Sequence, residues 1–182
     1  MKWDNLITTK RFGMEDYYQG NHDGRTEFQR DYDRLIFSPA FRRLQNKTQV
    51  FPLPGSVFVH NRLTHSLEVS CVGRSIGNNV GRELSAKYPE LSAELSEIGA
   101  IVATACLAHD LGNPPFGHSG ENAIGTFFSE GKGVEYRNRL NITEEQWADL
   151  TTFEGNANAF RILTHQFEGR RKGGFVLTYP TL

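Results

Sequence analysis

The chain has 182 residues, of which 38% are hydrophobic and 23% charged, and its formal net charge is -1. This length suits one globular domain with a core of its own, and the composition fits a soluble globular protein. The near-neutral charge argues against a broadly basic nucleic-acid-binding surface, so that any basic site must be local.

The first quarter of the chain is predicted to form an arm followed by two short helices. Residues 1–24 are polar and aromatic, and we expect an irregular arm there. Residues 26–37 mix charged and apolar side chains in a pattern that suits a short helix, and Ser38-Pro39 is a helix-start signal for the next one. Residues 48–51 could form one short strand before a turn at 52–55.

Two long helices are predicted in the middle of the chain, over residues 61–84 and 91–111. In the first, steps of three and four residues connect one stripe: His65, Val69, Val72, Ile76, Val80 and Leu84. In the second, the same steps connect Leu91, Leu95, Ile98, Val102, Ala105 and His109. Further apolar residues fill the other faces of the second helix, so we expect both stripes to be buried and this helix to be central.

The remaining residues are predicted as helices separated by loops. Residues 112–117 contain two prolines and form a loop, whereas residues 119–128 suit a helix. Residues 131–141 are polar and loop-like. A helix-start pattern opens at Thr143, and residues 153–167 are helical. The chain is therefore predicted to be mostly α-helical.

The sequence also predicts a cytoplasmic protein. The N-terminus lacks an apolar signal core, and no run approaches the roughly 20 apolar residues of a membrane helix. The two cysteines, Cys71 and Cys106, both fall in apolar helical patterns, so a disulfide is not expected. We therefore expect a reducing compartment and no contact with a membrane.

The adjacent pair His109-Asp110, at the end of the second long helix, predicts a metal site. An ionised aspartate in apolar surroundings is costly unless a positive or hydrogen-bonding group meets it, and a divalent ion would do so. A lone histidine on an apolar face is more often a hydrogen-bonded core residue, but two stripes that end in a histidine, here His65 and His109, favour ligands. Mixed His and Asp ligation permits several metals and leaves positions for water and substrate.

These residues resemble a known family. His65 and the pair His109-Asp110 within CLAHDLGNPPFGHSGE resemble the HD-domain phosphohydrolases. The segments RTEFQRDYDRLIFSPAFRRLQNKTQVFP, HNRLTHSLEV and FEGNANAFRI extend the resemblance to the deoxyguanosinetriphosphate triphosphohydrolase (dGTPase) family. The resemblance implies an all-α HD-domain fold over residues 25–182, after an arm at residues 1–24. It also implies hydrolysis of a deoxynucleoside triphosphate (dNTP), with dGTP as the expected substrate, to deoxynucleoside and inorganic triphosphate.

The resemblance also assigns a metal site. In this family a His, the His-Asp pair and a later Asp hold the metal, so that His65, His109 and Asp110 would be ligands. Mn or Mg is the expected metal, with Fe, Ni, Zn and Co as alternatives. The later Asp is expected beyond Leu182, so the HD domain would be truncated at its C-terminus. Asn113 stands where some relatives have a histidine, which favours one metal over two.

Four further residues match positions with known roles in the family. His118 and Glu121 match the catalytic pair, although a helix-start Glu with an incidental His is the simpler interpretation of the spacing alone. Arg62 matches a phosphate clamp, where a solvated arginine would otherwise be expected. Gln49 matches a residue that contacts the sugar, and it could otherwise be a polar strand residue.

Two other functions stay open. One is a different HD-domain nucleotide phosphohydrolase, acting on cyclic nucleotides, 5′-nucleotides or alarmones, against which residues 25–52 argue. The other is a non-catalytic module that senses dNTPs or binds single-stranded DNA, for which the missing fourth ligand is the argument. The basic runs at 42–43 and 170–172 suit a solvated face or phosphate contacts better than a nucleic-acid groove. The family is commonly oligomeric, so a homo-oligomer is also expected.

Overall fold

The computed structural model describes residues 2–16, 24–48, 60–169 and 172–182. The described residues are mostly helical and contain no strand, which confirms the all-α prediction. Short 3-10 turns cover Leu44–Asn46 and Pro89–Leu91. The helices in chain order are α1 (Trp3–Leu6), α2 (Glu27–Ile36), α3 (Pro39–Arg43), α4 (Arg62–Lys87), α5 (Ser92–Leu95), α6 (Ile98–Ala108), α7 (Gly117–Ser129), α8 (Val134–Arg139), α9 (Glu144–Thr151) and α10 (Gly155–Thr164).

Only the first residue of the predicted strand at 48–51 is described. Thr48 forms an isolated antiparallel bridge with Asn61, while residues 49–51 lie outside the described ranges. The backbone N–H of Arg62 donates to the carbonyl of Lys47 over 3.0 Å. These contacts place the end of the first 3-10 turn against the start of α4.

Several of the described helices begin at a polar residue that caps them. The side chains of Thr26, Ser38, Asn61 and Thr143 each accept a hydrogen bond from the backbone N–H of the third residue of α2, α3, α4 and α9. Such a cap satisfies an N–H group that the helix itself leaves unpaired. The helix starts predicted at Ser38-Pro39 and at Thr143 are thus confirmed.

The central packing contact lies between α4 and α6, and it uses the small residues of α4. Beyond Arg62, the buried face of α4 consists of Ser66, Ser70, Gly73, Gly77 and Gly81. A Cβ atom on Gly77 would lie 2.9 Å from the Cα atom of Gly99 in α6, so the two backbones are nearly in contact. The Ser70 hydroxyl donates to the carbonyl of Ala103 over 2.8 Å.

The prediction that the apolar stripe of α4 is buried is wrong. Val72, Ile76 and Val80 are 60%, 58% and 45% exposed. Hydrophobic spacing identifies a face of a helix but not the neighbour that covers it. Here the face of serines and glycines packs on α6, because small side chains allow a shorter distance between helix axes. Ala105, in the predicted stripe of α6, is likewise exposed.

The second predicted long helix is interrupted, since α5 and α6 are separate and α6 ends at Ala108. By length and composition alone, the stretch Pro89–Ala108 is long and apolar enough to cross a membrane. The prediction that no run approaches the length of a membrane helix is therefore wrong. A core helix of a globular protein passes the same test. In the structure α6 packs against α2 and α4, and Leu107 is fully buried, as expected for a central helix.

The polar stretch 131–141, predicted as a loop, contains the helix α8, so that prediction is wrong. Contacts with its neighbours support this short helix. The backbone N–H of Gly133 donates to the carbonyl of Phe127 over 3.0 Å. The Arg137 guanidinium lies 5.4 Å from the ring centroid of Trp147 in α9. Because these partners come from α7 and α9, the local sequence pattern does not reveal the helix.

Arg11 connects the described N-terminal residues to α2 and to the C-terminal segment. Its guanidinium is fully buried and pairs with Glu27 at 2.6 Å and with Asp31 at 2.5 Å. The second oxygen of Asp31 accepts hydrogen bonds from the backbone N–H of Thr178 (2.8 Å) and from its hydroxyl (2.7 Å). Residues 2–16, α2 and the C-terminal segment 172–182 therefore share one buried polar network.

Candidate metal centre

The ends of α4 and α6 bring His65, His109 and Asp110 together. His65 Nε2 lies 4.0 Å from Asp110 Oδ2, and His109 Nε2 lies 3.5 Å from Asp110 Oδ1. The ring centroids of the two histidines are 5.3 Å apart. One ligand atom from each residue lies within 4.8 Å of the other two. The three residues that the sequence singled out thus share one small space.

Hydrogen bonding presents Nε2 of His109 to this cluster. The Nδ1 atom of His109 lies 2.7 Å from the backbone carbonyl of Cys106. A carbonyl oxygen can only accept, so Nδ1 carries the proton and Nε2 of the neutral ring keeps its lone pair. Metal-binding histidines commonly have their other ring nitrogen held in this way.

Asp110 is buried, and its two oxygens have different surroundings. Oδ1 accepts a hydrogen bond from the side-chain amide of Asn113 over 2.5 Å. Oδ2 is 2.9 Å from an Arg62 nitrogen, and both side chains are 5% exposed. Within the described ranges, no well-directed hydrogen bond reaches Oδ2. A buried carboxylate oxygen with unused acceptor capacity is a favourable place for a cation.

The three side chains fit a divalent ion. Ligand atoms about 2.1 Å from one ion lie roughly 3 to 4 Å apart. The two His–Asp distances, 4.0 and 3.5 Å, fall in this range, and the three ligand atoms lie within 4.8 Å of one another. Two neutral imidazoles and one carboxylate suit several divalent metals and leave positions for water or substrate. The acid Asp149 is not part of this cluster. It is exposed on α9 and pairs with Arg161 at 3.1 Å.

Two cations border the cluster. Arg62 is buried rather than solvated, and one of its nitrogens lies 3.5 Å from the carbonyl of Pro114. Lys47 donates from Nζ to the carbonyl of Asn113 over 2.8 Å. Burial, and then the positive charge of Arg62, lower the pKa of Lys47. Together the two cations outweigh the charge of Asp110, which suits an anionic ligand such as a phosphate group. Lys47 was not among the predicted site residues, since only its place within residues 25–52 marked it.

His118 and Glu121 form a hydrogen-bonded pair at the start of α7. His118 Nδ1 lies 2.7 Å from a carboxylate oxygen of Glu121. The His118 side chain is 94% exposed, whereas that of Glu121 is 13% exposed. The other Glu121 oxygen accepts a hydrogen bond from the backbone N–H of Gly155 over 2.9 Å. Left-handed φ angles of 68° at Phe116 and 55° at Gly117 let α7 begin directly after the two prolines.

Two of the predicted functional features, like the predicted turn at 52–55, lie outside the described residues. These are Gln49, the predicted sugar contact, and residues 170–171 of the second basic run. The first basic run, Arg42 and Arg43, is exposed in the last turn of α3.

Comparison with known proteins identifies relatives of the chain. The HD domain family model matches residues 62–171. A deoxyguanosinetriphosphate triphosphohydrolase-like protein of Synechocystis sp. is 47% identical over 182 residues, covering 100% of this chain and 41% of that protein. A protein of the same description from Pseudomonas aeruginosa is 48% identical over 186 residues, covering 100% and 40%. A deoxyguanosinetriphosphate triphosphohydrolase of Yersinia enterocolitica is 39% identical over 184 residues, covering 87% and 36%. The chain thus spans about two fifths of the length of these relatives.

Proposed function

The chain belongs to the HD-domain family, and we propose that it forms part of a metal-dependent dNTP triphosphohydrolase. The proposed reaction converts a dNTP, with dGTP as the first candidate, to deoxynucleoside and inorganic triphosphate. The observation that carries the proposal is the cluster of His65, His109 and Asp110, with its buried acceptor oxygen, beside two cations. The names of the relatives support the substrate class.

His65, His109 and Asp110 would hold one divalent ion, with Mn or Mg proposed and Fe, Ni, Zn and Co as alternatives. When bound, such an ion supplies Lewis-acid polarisation of a phosphoryl group and makes water more acidic. Asn113 uses its side-chain amide to donate to Asp110. This role as an orienting group, rather than a ligand, supports one ion over two.

The basic side chains of the site bind and orient the substrate in this proposal. Arg62 and Lys47 lie beside the cluster and would neutralise charge on the triphosphate. The planar guanidinium of Arg62 suits a two-point contact with phosphate oxygens. Gln49 is proposed to contact the sugar.

His118 is proposed to move the proton. Because Nδ1 faces the Glu121 carboxylate, Nε2 remains to give a proton to the leaving 5′-oxygen or to take one from water. The bond between the α-phosphorus and the 5′-oxygen breaks, and the oxygen of water joins the α-phosphorus. One proton of that water ends on the 5′-hydroxyl of the deoxynucleoside, so that the atoms balance.

The proposal is tested by product analysis on the full-length protein. Each dNTP is incubated with Mn²⁺ or Mg²⁺ in water enriched in ¹⁸O, and the products are resolved by ³¹P NMR and mass spectrometry. We expect inorganic triphosphate that carries ¹⁸O, and no such product from the His118→Gln variant. Release of pyrophosphate or monophosphate would contradict the assigned bond and favour another HD-domain phosphohydrolase. Tight binding of a dNTP without turnover would favour a sensing module.

We also propose that the protein is a cytoplasmic homo-oligomer, with single-stranded DNA as an alternative partner. Cys71 and Cys106 are not joined in a disulfide, which is consistent with a reducing compartment. Light scattering after size-exclusion chromatography measures the number of subunits. A gel-shift experiment with single-stranded DNA of mixed sequence, at several salt concentrations, measures nucleic-acid binding.

A further inference from the structure

The first turn of α10 contacts elements that carry both parts of the proposed site. Gly155, the first residue of α10, donates its backbone N–H to the carboxylate of Glu121 over 2.9 Å. Asn158, one turn later, donates its side-chain amide to the carbonyl of Gly112 over 2.9 Å. Gly112 lies in the loop that directly follows His109-Asp110, while Glu121 is the partner of His118.

A side chain at Gly155 would collide with the side chains of Asn113 and Glu121. A Cβ atom there would lie 1.9 Å from the side-chain oxygen of Asn113 and 2.7 Å from a carboxylate oxygen of Glu121. Contacts this short force the neighbours to move. The loop that contains Gly112 also lies close to α10, because a Cβ atom on Gly112 would lie 2.1 Å from the backbone nitrogen of Ala159.

Both neighbours of Gly155 orient a proposed functional group. The amide nitrogen of Asn113 donates to Oδ1 of Asp110 over 2.5 Å, so Asn113 orients the Asp110 carboxylate together with Arg62, which lies 2.9 Å from Oδ2. The carboxylate of Glu121 holds Nδ1 of His118 at 2.7 Å and thereby selects the ring tautomer. One backbone position thus limits the movement of two orienting side chains.

We propose that Gly155 is a positioning residue that acts on Asp110 through Asn113 and on His118 through Glu121. It couples the geometry of the metal cluster to that of the proton-transfer pair. The roles of Asp110 and His118 rest on the proposed function, but the contacts do not. The absence of a side chain at Gly155 keeps Asn113 and Glu121 in place, and Asn158 holds the adjoining loop to the same helix.

The test is the Gly155→Ala variant of the full-length protein, with two measurements that need no turnover. Mn²⁺ affinity is measured by EPR, and the tautomer of His118 by ¹⁵N NMR of the imidazole nitrogens, assigned with His118→Gln. We expect Mn²⁺ binding about 10-fold weaker or more, the usual effect of disturbing an orienting partner. We also expect a loss of the Nδ1–H tautomer of His118. The control is Gly24→Ala, which adds the same methyl group at a position where, among the described residues, no atom lies within 4 Å.

Two further variants separate the effect on Asp110 from the effect on His118. Asn113→Ala is expected to weaken Mn²⁺ binding while the His118 tautomer stays as in the wild type. Glu121→Gln is expected to alter the tautomer while Mn²⁺ affinity stays within about twofold of the wild-type value. If Gly155→Ala does not fold by circular dichroism, Asn158→Leu replaces it, because this variant removes the hydrogen bond to the loop and keeps the number of non-hydrogen side-chain atoms. It is expected to weaken Mn²⁺ binding about 10-fold.

The outcomes distinguish this inference from the proposed function. Wild-type Mn²⁺ affinity and wild-type tautomer in folded Gly155→Ala, or unchanged Mn²⁺ affinity in the replacement Asn158→Leu, would overturn the positioning role even if triphosphate is produced. Altered values for both measurements would support that role even if the products prove to be pyrophosphate or monophosphate.

Discussion

Asp110 is buried and carries the only charge among the three proposed ligands. We predict that Asp110→Asn weakens Mn²⁺ binding by at least about 100-fold, since even disturbing an orienting partner costs about 10- to 100-fold. It also leaves Arg62 as a buried charge without its carboxylate, which should lower the free energy of unfolding of the metal-free protein by about 3 kcal/mol. Isothermal titration and urea unfolding measure the two effects.

The matched control for this variant is Asp149→Asn. Asp149 is exposed on α9 and its side chain pairs with that of Arg161, 65% and 61% exposed respectively. We expect wild-type Mn²⁺ affinity and a free energy of unfolding within about 0.5 kcal/mol of the wild-type value. Equal loss of Mn²⁺ binding in both variants would show that Asp110 is not a specific ligand.

The proposed site residues could be found from the sequence because they lie within short, recognisable segments. His109, Asp110, His118 and Glu121 fall within thirteen consecutive positions, and His65 continues a helical pattern. The orienting role of Asn113 could not be found in this way, nor that of Gly155. Each depends on contacts that form only when the loop, α7 and α10 pack together.

The capping of α10 by Glu154 predicts that the free energy of unfolding depends on pH. Hydrogen bonds from the backbone N–H groups of Ala157 and then Asn156 lower the pKa of Glu154 below the usual 4.5. A carboxyl group with a lowered pKa in the folded state stabilises fully above its unfolded pKa and loses this contribution as pH falls through its folded pKa. We predict that Glu154→Gln reduces the loss of unfolding free energy between about pH 6 and about pH 3.

Urea unfolding at several pH values measures this effect. The control is Glu145→Gln, which removes an exposed carboxylate from α9 without removing a cap. A pH dependence in Glu154→Gln identical to that of the wild type would contradict the role of Glu154 as a charged cap.

The close packing of the glycine face of α4 predicts how an added methyl group changes the free energy of unfolding. Gly77→Ala should stabilise an isolated helix by about 1 kcal/mol. In the protein the new methyl group would lie 2.9 Å from the backbone of α6, and such overpacking costs about 1 to 3 kcal/mol. We predict a lower free energy of unfolding, measured in urea, while Glu83→Ala at an exposed position of α4 shows no loss. Stabilisation by Gly77→Ala would contradict the close packing of α4 on α6.

Helix starts could be predicted from the sequence because caps are local, as at Ser38-Pro39 and Thr143. The buried face of α4 could not, because its apolar stripe and its glycine face are both periodic. Only the partner helix α6 decides which of them is covered. The helix α8 was not predicted for a related reason, since the contacts that support it come from α7 and α9.

At the scale of the whole molecule, the buried network of Arg11 and Asp31 joins residues that are far apart in the sequence. We predict that Arg11→Leu lowers the free energy of unfolding by about 3 to 5 kcal/mol, because it leaves Asp31 buried without its guanidinium. Urea unfolding measures the effect. The control is Arg25→Leu, whose pair with Asp33 is exposed and should be worth no more than about 1 kcal/mol.

A loss in Arg11→Leu no larger than that in Arg25→Leu would contradict the structural role of the network. The pairing itself could not be predicted, since no local pattern connects Arg11 to Asp31 or to Thr178. The fold class and the helical composition could be predicted, because they depend on periodicity along the chain.

Anomalous scattering shows whether His65, His109 and Asp110 bind one divalent ion. Crystals of the full-length protein are soaked with Mn²⁺, and data are collected on both sides of the manganese absorption edge. We predict one anomalous peak about 2.0 to 2.3 Å from Nε2 of both histidines and from an Asp110 oxygen. A map with no peak between these three side chains would show that they do not form a metal site.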